Sequence, residues 1–242
     1  MILKGKCALV TGGGRRLGRA IAWGLARRGV NIAIHYLSSE SGAKATAQDA
    51  EVFGVRTALL RADLTVAEDA EALPGRAREA LGGLDIVVNG AAVMERRPLA
   101  EVTPADWDRA MDLNLRGTFF VSKGAAAAMG DAGGGIVNLA DIAGFERWRN
   151  YPVHCLSKAG VVAMTELFAK LLAPRIRVNA VAPGAVLLPD GWADDAAKAL
   201  VATTPLGRLG KPDDVFAAVV FLLENDFVTG ETLVVDGGRL VR

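Results

Sequence analysis

Cys7-Ala8-Leu9-Val10-Thr11-Gly12-Gly13-Gly14-Arg15-Arg16-Leu17-Gly18-Arg19-Ala20 is the stretch that decides the fold. Its apolar run ends in three glycines and continues as Ile21-Ala22-Trp23-Gly24-Leu25-Ala26, which predicts a strand, a tight turn and a helix. Glycines let the backbone approach a pyrophosphate, and the N-terminus of a helix favours that anion. The stretch predicts a dinucleotide site that includes Gly12, Arg15, Arg16, Leu17 and Gly18. An ordinary turn with solvated arginines is the alternative.

Length and composition favour one α/β domain spanning residues 1–242. No Pro/Ser-rich linker divides the chain, and 51% of its residues are hydrophobic, enough for a sizeable core. A net charge of +1 gives no reason to expect a nucleic-acid partner. Cys7 and Cys155 are too few for a disulfide framework or a zinc cluster. So few cysteines favour a reducing, cytoplasmic location, and we expect no metal. No run approaches ~20 apolar residues, so we expect no membrane segment.

The end of the second strand indicates which dinucleotide is bound. Asn31–Tyr36 reads as a buried strand, and Leu37-Ser38-Ser39 follows it. In folds that prefer NAD, an acidic residue at this place binds the ribose 2′-hydroxyl, whereas here no acid precedes Glu40. The absence of an acid, together with the two arginines of the turn, favours NADP(H). The residues expected to line this end of the cofactor are His35, Tyr36, Ser38 and Ser39.

Further strands follow at a spacing typical of alternating strands and helices. This spacing predicts a doubly wound, seven-stranded parallel sheet flanked by helices, with right-handed crossovers. After the first two strands, the predicted strands are Thr57–Arg61, Leu84–Val88, Gly135–Leu139 and Arg177–Ala182, with a last strand and turn within Thr229–Gly238. A final helix is predicted from Pro212 through Leu223.

Ligands of open parallel sheets collect at the carboxyl ends of the strands, so residues at those ends are candidates for cofactor binding. Asp63 could accept a hydrogen bond from the adenine amino group, or it could simply cap a turn. Asn114 stands among apolar residues of a predicted long helix and is either a structural polar group or part of a site. The remaining candidates at strand ends are Leu64, Asn89, Gly90, Ala91, Pro183, Gly184 and Val186.

Together these segments resemble the short-chain dehydrogenase/reductase family over essentially the whole chain. The resemblance rests on Thr11 to Gly18, Asp63, Asn89-Gly90-Ala91, Asn114, the interval from Asp141 to Lys158, Pro183-Gly184 and the Val-Asp-Gly-Gly ending, in this order. Each motif is weak alone, but the ordered set is specific. The form Thr-Gly-x-x-x-Arg-x-Gly and the aspartate at position 141 are most similar to the pteridine reductase branch.

The resemblance implies hydride transfer between a nicotinamide and a carbonyl or alcohol, with catalytic Asn, Ser, Tyr and Lys. Asn114 and Lys158 match their positions, and Asp141 takes the place of the serine. His154 takes the place of the tyrosine, which is a departure from the family. Tyr151 cannot replace it, because it lies seven residues before Lys158 rather than four. Lys158 is implied to hold the nicotinamide ribose and, with Asn114, to complete a proton relay through water.

A histidine can serve as the acid in this position. The reference pKa of histidine side chains, about 6.5, is closer to neutrality than the value of about 10 for tyrosine. Three hypotheses follow. The first is an NADP(H)-dependent reductase of a ketone, a 3-oxoacyl compound or a pterin-like substrate, with His154 as proton donor assisted by Asp141. The second is a catalytically degenerate nucleotide-binding or subunit protein. The third is a different reaction, with Asp141 and His154 acting as a base.

The remaining expectations concern the substrate and the assembly. Met94 stands where relatives that bind pterins carry an aromatic residue, which weakens a pterin substrate. An irregular stretch with a short helix near residues 185–204 is long enough to cover a pocket, and its Leu187, Leu188 and Trp192 suggest an apolar wall. The resemblance implies a homotetramer, with contacts through the Leu113–Met129 helix, the His154–Leu172 helix and the last strand.

Overall fold

The computed structural model of the protein describes residues 1–188 and 194–241. Its strands pair in parallel throughout one sheet, in the order β3-β2-β1-β4-β5-β6-β7. These strands are β1 (Cys7–Thr11), β2 (Asn31–Tyr36), β3 (Thr57–Arg61), β4 (Ile86–Asn89), β5 (Gly134–Leu139), β6 (Ile176–Pro183) and β7 (Thr232–Val235). The predicted seven-stranded doubly wound fold is confirmed.

Helices cover both faces of the sheet. Their bounds are α1 (Arg16–Arg27), α2 (Glu40–Glu51), α3 (Ala67–Leu81), α4 (Pro104–Met111), α5 (Thr118–Met129), α6 (Ala143–Glu146), α7 (Pro152–Leu172), α8 (Asp194–Ala202) and α9 (Pro212–Glu224). Among the described residues, no helix is both long enough and apolar enough to cross a bilayer.

Side chains that alternate along each strand divide the core into two layers. Leu9 and Val87 point into the layer formed with α3, α5 and α7. Val10 and Val88 point the other way, into the layer formed with α1, α2 and α9. Because both faces of the sheet are covered, the strands read as continuous apolar runs rather than as alternating ones. The central strands are consequently buried over their full length and provide a rigid base for the groups at their carboxyl ends.

Two strands are shorter than the sequence predicts. The fourth begins at Ile86 rather than Leu84, and the carboxylate of Asp85 just before it accepts hydrogen bonds from Lys6 Nζ (2.7 Å) and the Cys7 N–H (2.9 Å). The last is limited to Thr232–Val235, since the next residue, Asp236, accepts the N–H groups of Gly238 (2.7 Å) and Leu240 (2.8 Å). In both places an aspartate side chain accepts hydrogen bonds from main-chain N–H groups beside the end of the strand.

The predicted long helix around Asn114 is interrupted. A π-helical turn, Asp112–Gly117, joins α4 to α5 and contains this residue. π-Helical turns are rare overall, and those that occur are often found at functional sites. The hydroxyl of Thr118 donates to the Asn114 main-chain carbonyl (2.8 Å), which satisfies an oxygen within the distorted turn. The irregularity positions the Asn114 side chain against the loop that follows β4.

The cleft lies where the strand order reverses. From β1 the chain proceeds outward through β2 and β3, and it then returns to the other side of β1 to form β4. The loops after β1 and β4 diverge and leave a crevice at the carboxyl edge of the sheet. Open α/β folds bind their ligands at this place. The short helix expected near residues 185–204 is present as α8. Trp192, named as part of the apolar wall, lies outside the described residues.

Candidate active site

A glycine-rich turn forms one wall of the cleft. Gly12 has a φ of +67°, in the left-handed region that favours glycine, and a Cβ there would lie 3.1 Å from the Ala91 Cα. A Cβ on Gly18 would lie 2.3 Å from the Gly12 carbonyl oxygen, so any side chain there would displace the turn. The first turn of α1 carries no acidic residue, and Arg15 precedes the helix. This helix N-terminus is suited to an anion.

Arg16 lies on the same turn and reaches across the cleft. Its guanidinium donates to the main-chain carbonyls of Leu187 (2.7 Å) and Leu188 (3.2 and 3.3 Å), in the segment after β6. Arg16 also has a φ of 51°, unusual for a residue with a side chain. The position that commonly holds a glycine in such turns therefore accommodates an arginine in a strained backbone conformation, and the side chain connects the turn to the opposite wall.

His35 is buried beneath the glycine turn, although the sequence predicts it as a cofactor contact. Its Nδ1 accepts the Gly12 N–H (3.1 Å), and its Nε2 lies 3.1 Å from the Ala62 carbonyl oxygen. These partners require the neutral ring with a proton on Nε2. Burial lowers the pKa of His35 to about 4, against the opposing effect of the Ala62 hydrogen bond. Both ring nitrogens are thus used within the protein, and the ring supports the turn.

Two candidates, Asp63 and Asn89, do not line the cleft. The Asp63 carboxylate accepts the N–H (3.0 Å) and the hydroxyl (2.7 Å) of Thr65, and these bonds lower its pKa, so it serves the turn that follows β3. Asn89 is buried and donates to Ser122 Oγ (3.0 Å) and Asn138 Oδ1 (2.9 Å). Its side chain therefore joins the ends of two strands to α5. Their neighbours Leu64 and Gly90 do line the cleft.

Lys158 enters the cleft from α7. The side chain is buried, and its ammonium donates to the Leu139 carbonyl at the end of β5 (2.6 Å). Burial lowers the pKa of Lys158 to about 8, and the nearby carboxylate of Asp141 opposes that shift. The carbonyl fixes one of the three ammonium protons, which leaves the others for a ligand.

Asn114 is held by four hydrogen bonds and does not line the cleft. Its Oδ1 accepts the Val93 N–H (2.8 Å), and its Nδ2 donates to the Val93 carbonyl (2.9 Å) and to Ser157 Oγ (3.0 Å). The fourth bond is the one from Thr118 to its main-chain carbonyl. The side chain therefore clamps the loop after β4 to α7.

His154 and Asp141 face each other at the end of the cleft. The Nδ1 of His154 lies 3.2 Å from the Val93 carbonyl oxygen, and its Nε2 lies 3.5 Å from Asp141 Oδ2. The other carboxylate oxygen of Asp141 accepts the Ala143 N–H (2.8 Å). Only 4% of the His154 side chain is exposed, compared with 22% of the Asp141 side chain. Asp141 is thus the more exposed member of the pair.

An aromatic side chain packs against His154. The Trp148 ring stacks beside the imidazole, with 6.4 Å between centroids and 20° between planes. Tyr151 packs edge-on against Trp148 at 5.8 Å and lies just before α7 begins. His154 and Lys158 are one helical turn apart on α7, so they share a face, whereas Tyr151 precedes the helix.

The cleft is a cavity of about 750 Å³, a size typical of a site for a cofactor and a small molecule. The predicted site residues that line it are Gly12, Arg15, Arg16, Leu17, Gly18, His35, Tyr36, Ser38, Ser39, Leu64, Gly90, Ala91, Asp141, His154, Lys158, Pro183, Gly184 and Val186. Asp63, Asn89 and Asn114 do not. Over residues 1–188 and 194–241, no group of three or more His, Cys, Asp or Glu side chains could hold a metal ion.

Sequence reasoning missed several residues of the lining. Leu37, Ala92, Val93, Glu95, Leu113, Leu139 and Ala140 contribute to it without a recognisable motif. The carbonyls of Val93 and Leu139 act through the main chain, which any residue could provide, so no signal in the sequence could identify them. Glu95 could have been named from the sequence, because it directly follows Met94 in the loop after β4.

The chain is similar to known proteins in both sequence and fold. Residues 13–239 match the family model described as Enoyl-(Acyl carrier protein) reductase. The 3-oxoacyl-[acyl-carrier-protein] reductase FabG of Staphylococcus aureus is 33% identical over 239 residues, covering 96% of this chain and 97% of that protein. A short-chain dehydrogenase/reductase from Serratia marcescens superimposes with a TM-score of 0.93 at 32% identity over all of both chains. A blue fluorescent protein from a metagenomic library, in complex with NADPH, gives 0.91 at 35% identity over 99% of both.

Proposed function

The chain belongs to the short-chain dehydrogenase/reductase family, and from this premise we propose that it is an NADP(H)-dependent oxidoreductase acting on a carbonyl or alcohol, with His154 as the proton donor. The observation that carries the proposal is the placement of His154 and Lys158 one turn apart on α7, both lining the cavity, with Asp141 Oδ2 3.5 Å from the His154 Nε2. His154 is the acid, Asp141 is its charged partner and Lys158 is the cation, and the three lie together in a cleft large enough for a cofactor.

NADP(H) suits the residues present. The glycine turn has no room for side chains, and the N-terminus of α1 offers free N–H groups to a pyrophosphate. Arg15, Ser38 and Ser39 line the same cavity and would hold the 2′-phosphate. The carboxylates in the described lining are Glu95 and Asp141, and neither belongs to β2 or to the segment after it. A ribose 2′-hydroxyl would therefore find no acidic partner there.

In the proposed reaction, the bound cofactor supplies the hydride that reduces the carbonyl carbon. Lys158 would hold the nicotinamide ribose with the ammonium protons that Leu139 does not use. The Val93 carbonyl accepts from Nδ1 of His154, so Nε2 is the nitrogen that donates a proton to the substrate oxygen. Asp141 faces that nitrogen and stabilises the imidazolium form.

The cleft favours an apolar carbonyl compound. Met94, Leu113 and Leu187 line it, and Met94 is 41% exposed. We propose a ketone or a 3-oxoacyl compound before a pterin, because a methionine gives a ring no aromatic face on which to stack. The turn with Arg16 and the aspartate at position 141 support a place near the pteridine reductase branch, although the substrate side has diverged.

We further propose a cytoplasmic homotetramer. Exposed apolar side chains lie on α5 (Phe119), on α7 (Leu167, Leu171) and on β7 (Val234), the elements that the family resemblance assigns to subunit contacts. Both cysteines are free and buried, in keeping with a reducing compartment. Light scattering at micromolar concentration tests the assembly, and a monomer would refute it.

The test of the proposed function is NADPH consumption with a panel of ketones, 3-oxoacyl thioesters and pterins. We expect oxidation of NADPH with at least one carbonyl class, and formation of the matching alcohol by mass spectrometry. Tight NADPH binding without turnover on every class would instead favour the degenerate nucleotide-binding protein.

A further inference from the structure

We propose that Asp141 is the proton port of this active site: its carboxyl group transfers a proton from solvent to Nε2 of His154 after each turnover. This inference rests on the proposed function, because a proton donor that acts repeatedly must be reloaded. It assigns Asp141 a proton-transfer step in addition to its charge.

The two nitrogens of His154 have different access to protons. Nδ1 lies 3.2 Å from the Val93 carbonyl oxygen, which accepts a hydrogen bond but has no proton to give. Nε2 must therefore be both the nitrogen that donates to the substrate and the nitrogen that is reprotonated. The group nearest to it is Asp141 Oδ2, at 3.5 Å.

The other polar groups near His154 are committed elsewhere. Lys158 donates to the Leu139 carbonyl, and in the described part of the chain no hydrogen bond joins it to His154. The Asn114 amide donates both of its protons, to Val93 and Ser157, so it has no N–H group left for a relay water. The relay implied by the family resemblance is therefore not laid out in these side chains.

Two other carboxylates lie close to His154, and both are neutralised by Arg109. Glu95, Asp106 and His154 line a small cavity of about 10 Å³, about enough for one water molecule, and Asp106 Oδ1 accepts from Arg109 at 2.7 Å. Both carboxylate oxygens of Glu95 accept from Arg109, at 3.0 and 3.1 Å. Among the described residues, no cation is bound to Asp141 Oδ2, and its side chain is more exposed than that of His154. Of these carboxylates, we therefore assign the proton transfer to Asp141.

The proton balance is closed by solvent. When the imidazolium gives its Nε2 proton to the substrate oxygen, the ring is left neutral with its proton on Nδ1. The Asp141 carboxylate then takes a proton from hydronium or a buffer acid and passes it to Nε2, which restores both the imidazolium and the carboxylate. Protonation of a carboxylate near the diffusion limit at pH 7 proceeds at on the order of 10³ s⁻¹, faster than a typical kcat of about 10 s⁻¹.

Nuclear magnetic resonance can follow the proton directly, without cofactor or substrate. The chain has two histidines, so ¹⁵N-histidine labelling gives one signal set for His154 and one for His35. Under conditions in which His154 is protonated, we expect exchange of its Nε2 proton with water to be about tenfold or more slower in Asp141→Asn than in the wild type. Asparagine keeps the shape and can still accept the Ala143 N–H. Exchange at His35, which is bound to Gly12 and Ala62, is the internal control.

Glu95→Gln is the matched control, because it removes a carboxylate that also lines the cavity with His154. Exchange at His154 should be unchanged in this variant. Equal exchange in the wild type and Asp141→Asn would overturn the proposal, as would slowing in Glu95→Gln without slowing in Asp141→Asn.

Rapid-mixing kinetics provide the second readout. In Asp141→Asn, mixed at a pH low enough for His154 to be protonated beforehand, the first turnover uses the proton already on His154, so it should stay close to the wild-type rate while later turnovers become slow. In Asp141→Ala, added formate should restore later turnovers, because a small acid can enter the space of the missing side chain. Equal slowing of all turnovers, or the absence of rescue by formate, would overturn the proposal. A wild type without turnover would refute the proposed function instead, and the exchange experiment would still decide the role of Asp141.

Discussion

The main-chain carbonyl oxygen of Val93 lies 3.2 Å from Nδ1 of His154 and 2.9 Å from Nδ2 of Asn114. One peptide group therefore orients the imidazole and is itself held by the buried amide. Asn114 also accepts the Val93 N–H, so its side chain holds both main-chain polar groups of Val93. We conclude that Asn114 acts on His154 through Val93, as a positioning residue.

Replacing Asn114 by alanine should lower kcat while leaving the affinity for NADPH nearly unchanged. The loss of the amide leaves buried partners unpaired, at a cost of about 1–3 kcal/mol in the free energy of unfolding. Steady-state kinetics and urea unfolding measure the two effects. Asn138→Ala is the control, because its side chain joins Asn89 and Thr165. This variant should lose stability but keep its kcat per folded molecule. Equal kcat values in the two variants would remove the positioning role.

Arg15→Ala should weaken NADPH binding by about 10- to 100-fold and leave NADH binding nearly unchanged, since a charge-assisted hydrogen bond is worth about 1.5–3 kcal/mol. Arg16→Ala is the comparison. Its guanidinium bonds the carbonyls of Leu187 and Leu188, so we expect it to affect both cofactors to a similar extent. Fluorescence titration of each variant with each cofactor gives the four ratios. Tighter binding of NADH than of NADPH by the wild type would contradict the predicted preference.

His35 should make the protein less stable in mild acid. Burial lowers its pKa from 6.5 to about 4, so between these values the unfolded chain binds a proton that the folded chain does not. The free energy of unfolding is unaffected above about pH 6.5 and falls as the pH decreases towards 4, by about 3 kcal/mol in total. Urea unfolding of the wild type and His35→Gln at several pH values measures this contribution. The slope should be smaller in the variant, and parallel curves would show that His35 does not cause it.

His154→Tyr restores the Tyr-x-x-x-Lys spacing of the family. We expect it to retain or increase carbonyl reduction and to stay active at higher pH, because tyrosine side chains lose their proton near pH 10 and histidine side chains near 6.5. The measurement is kcat against pH for both proteins. Tyr151→Phe serves as the control and should follow the wild type, since Tyr151 lies outside α7. Superimposable profiles of wild type and His154→Tyr would exclude His154 as the group that limits the rate.

The sheet was predictable because its strands are apolar runs followed by glycine or polar turns, and the order of motifs identified the family. The family resemblance pointed to Asp141, His154 and Lys158, and the spacing of four residues placed His154 and Lys158 on one helical face. The roles of His35 and Asn114 were not, because each depends on a partner distant in the sequence: Ala62 for the first and Val93 for the second. The contact of Arg16 with Leu187 and Leu188 also depends on tertiary structure, since those residues meet it across the cleft.

The most direct test is the rate of NADPH-dependent carbonyl reduction by His154→Phe, measured beside its affinity for NADPH. Phenylalanine fills the site but has no proton to give, and general acid catalysis typically contributes 10²–10⁴-fold. We predict a loss of at least about 100-fold in kcat with an affinity for NADPH close to that of the wild type. Wild-type turnover in His154→Phe would contradict the assignment of His154 as the proton donor.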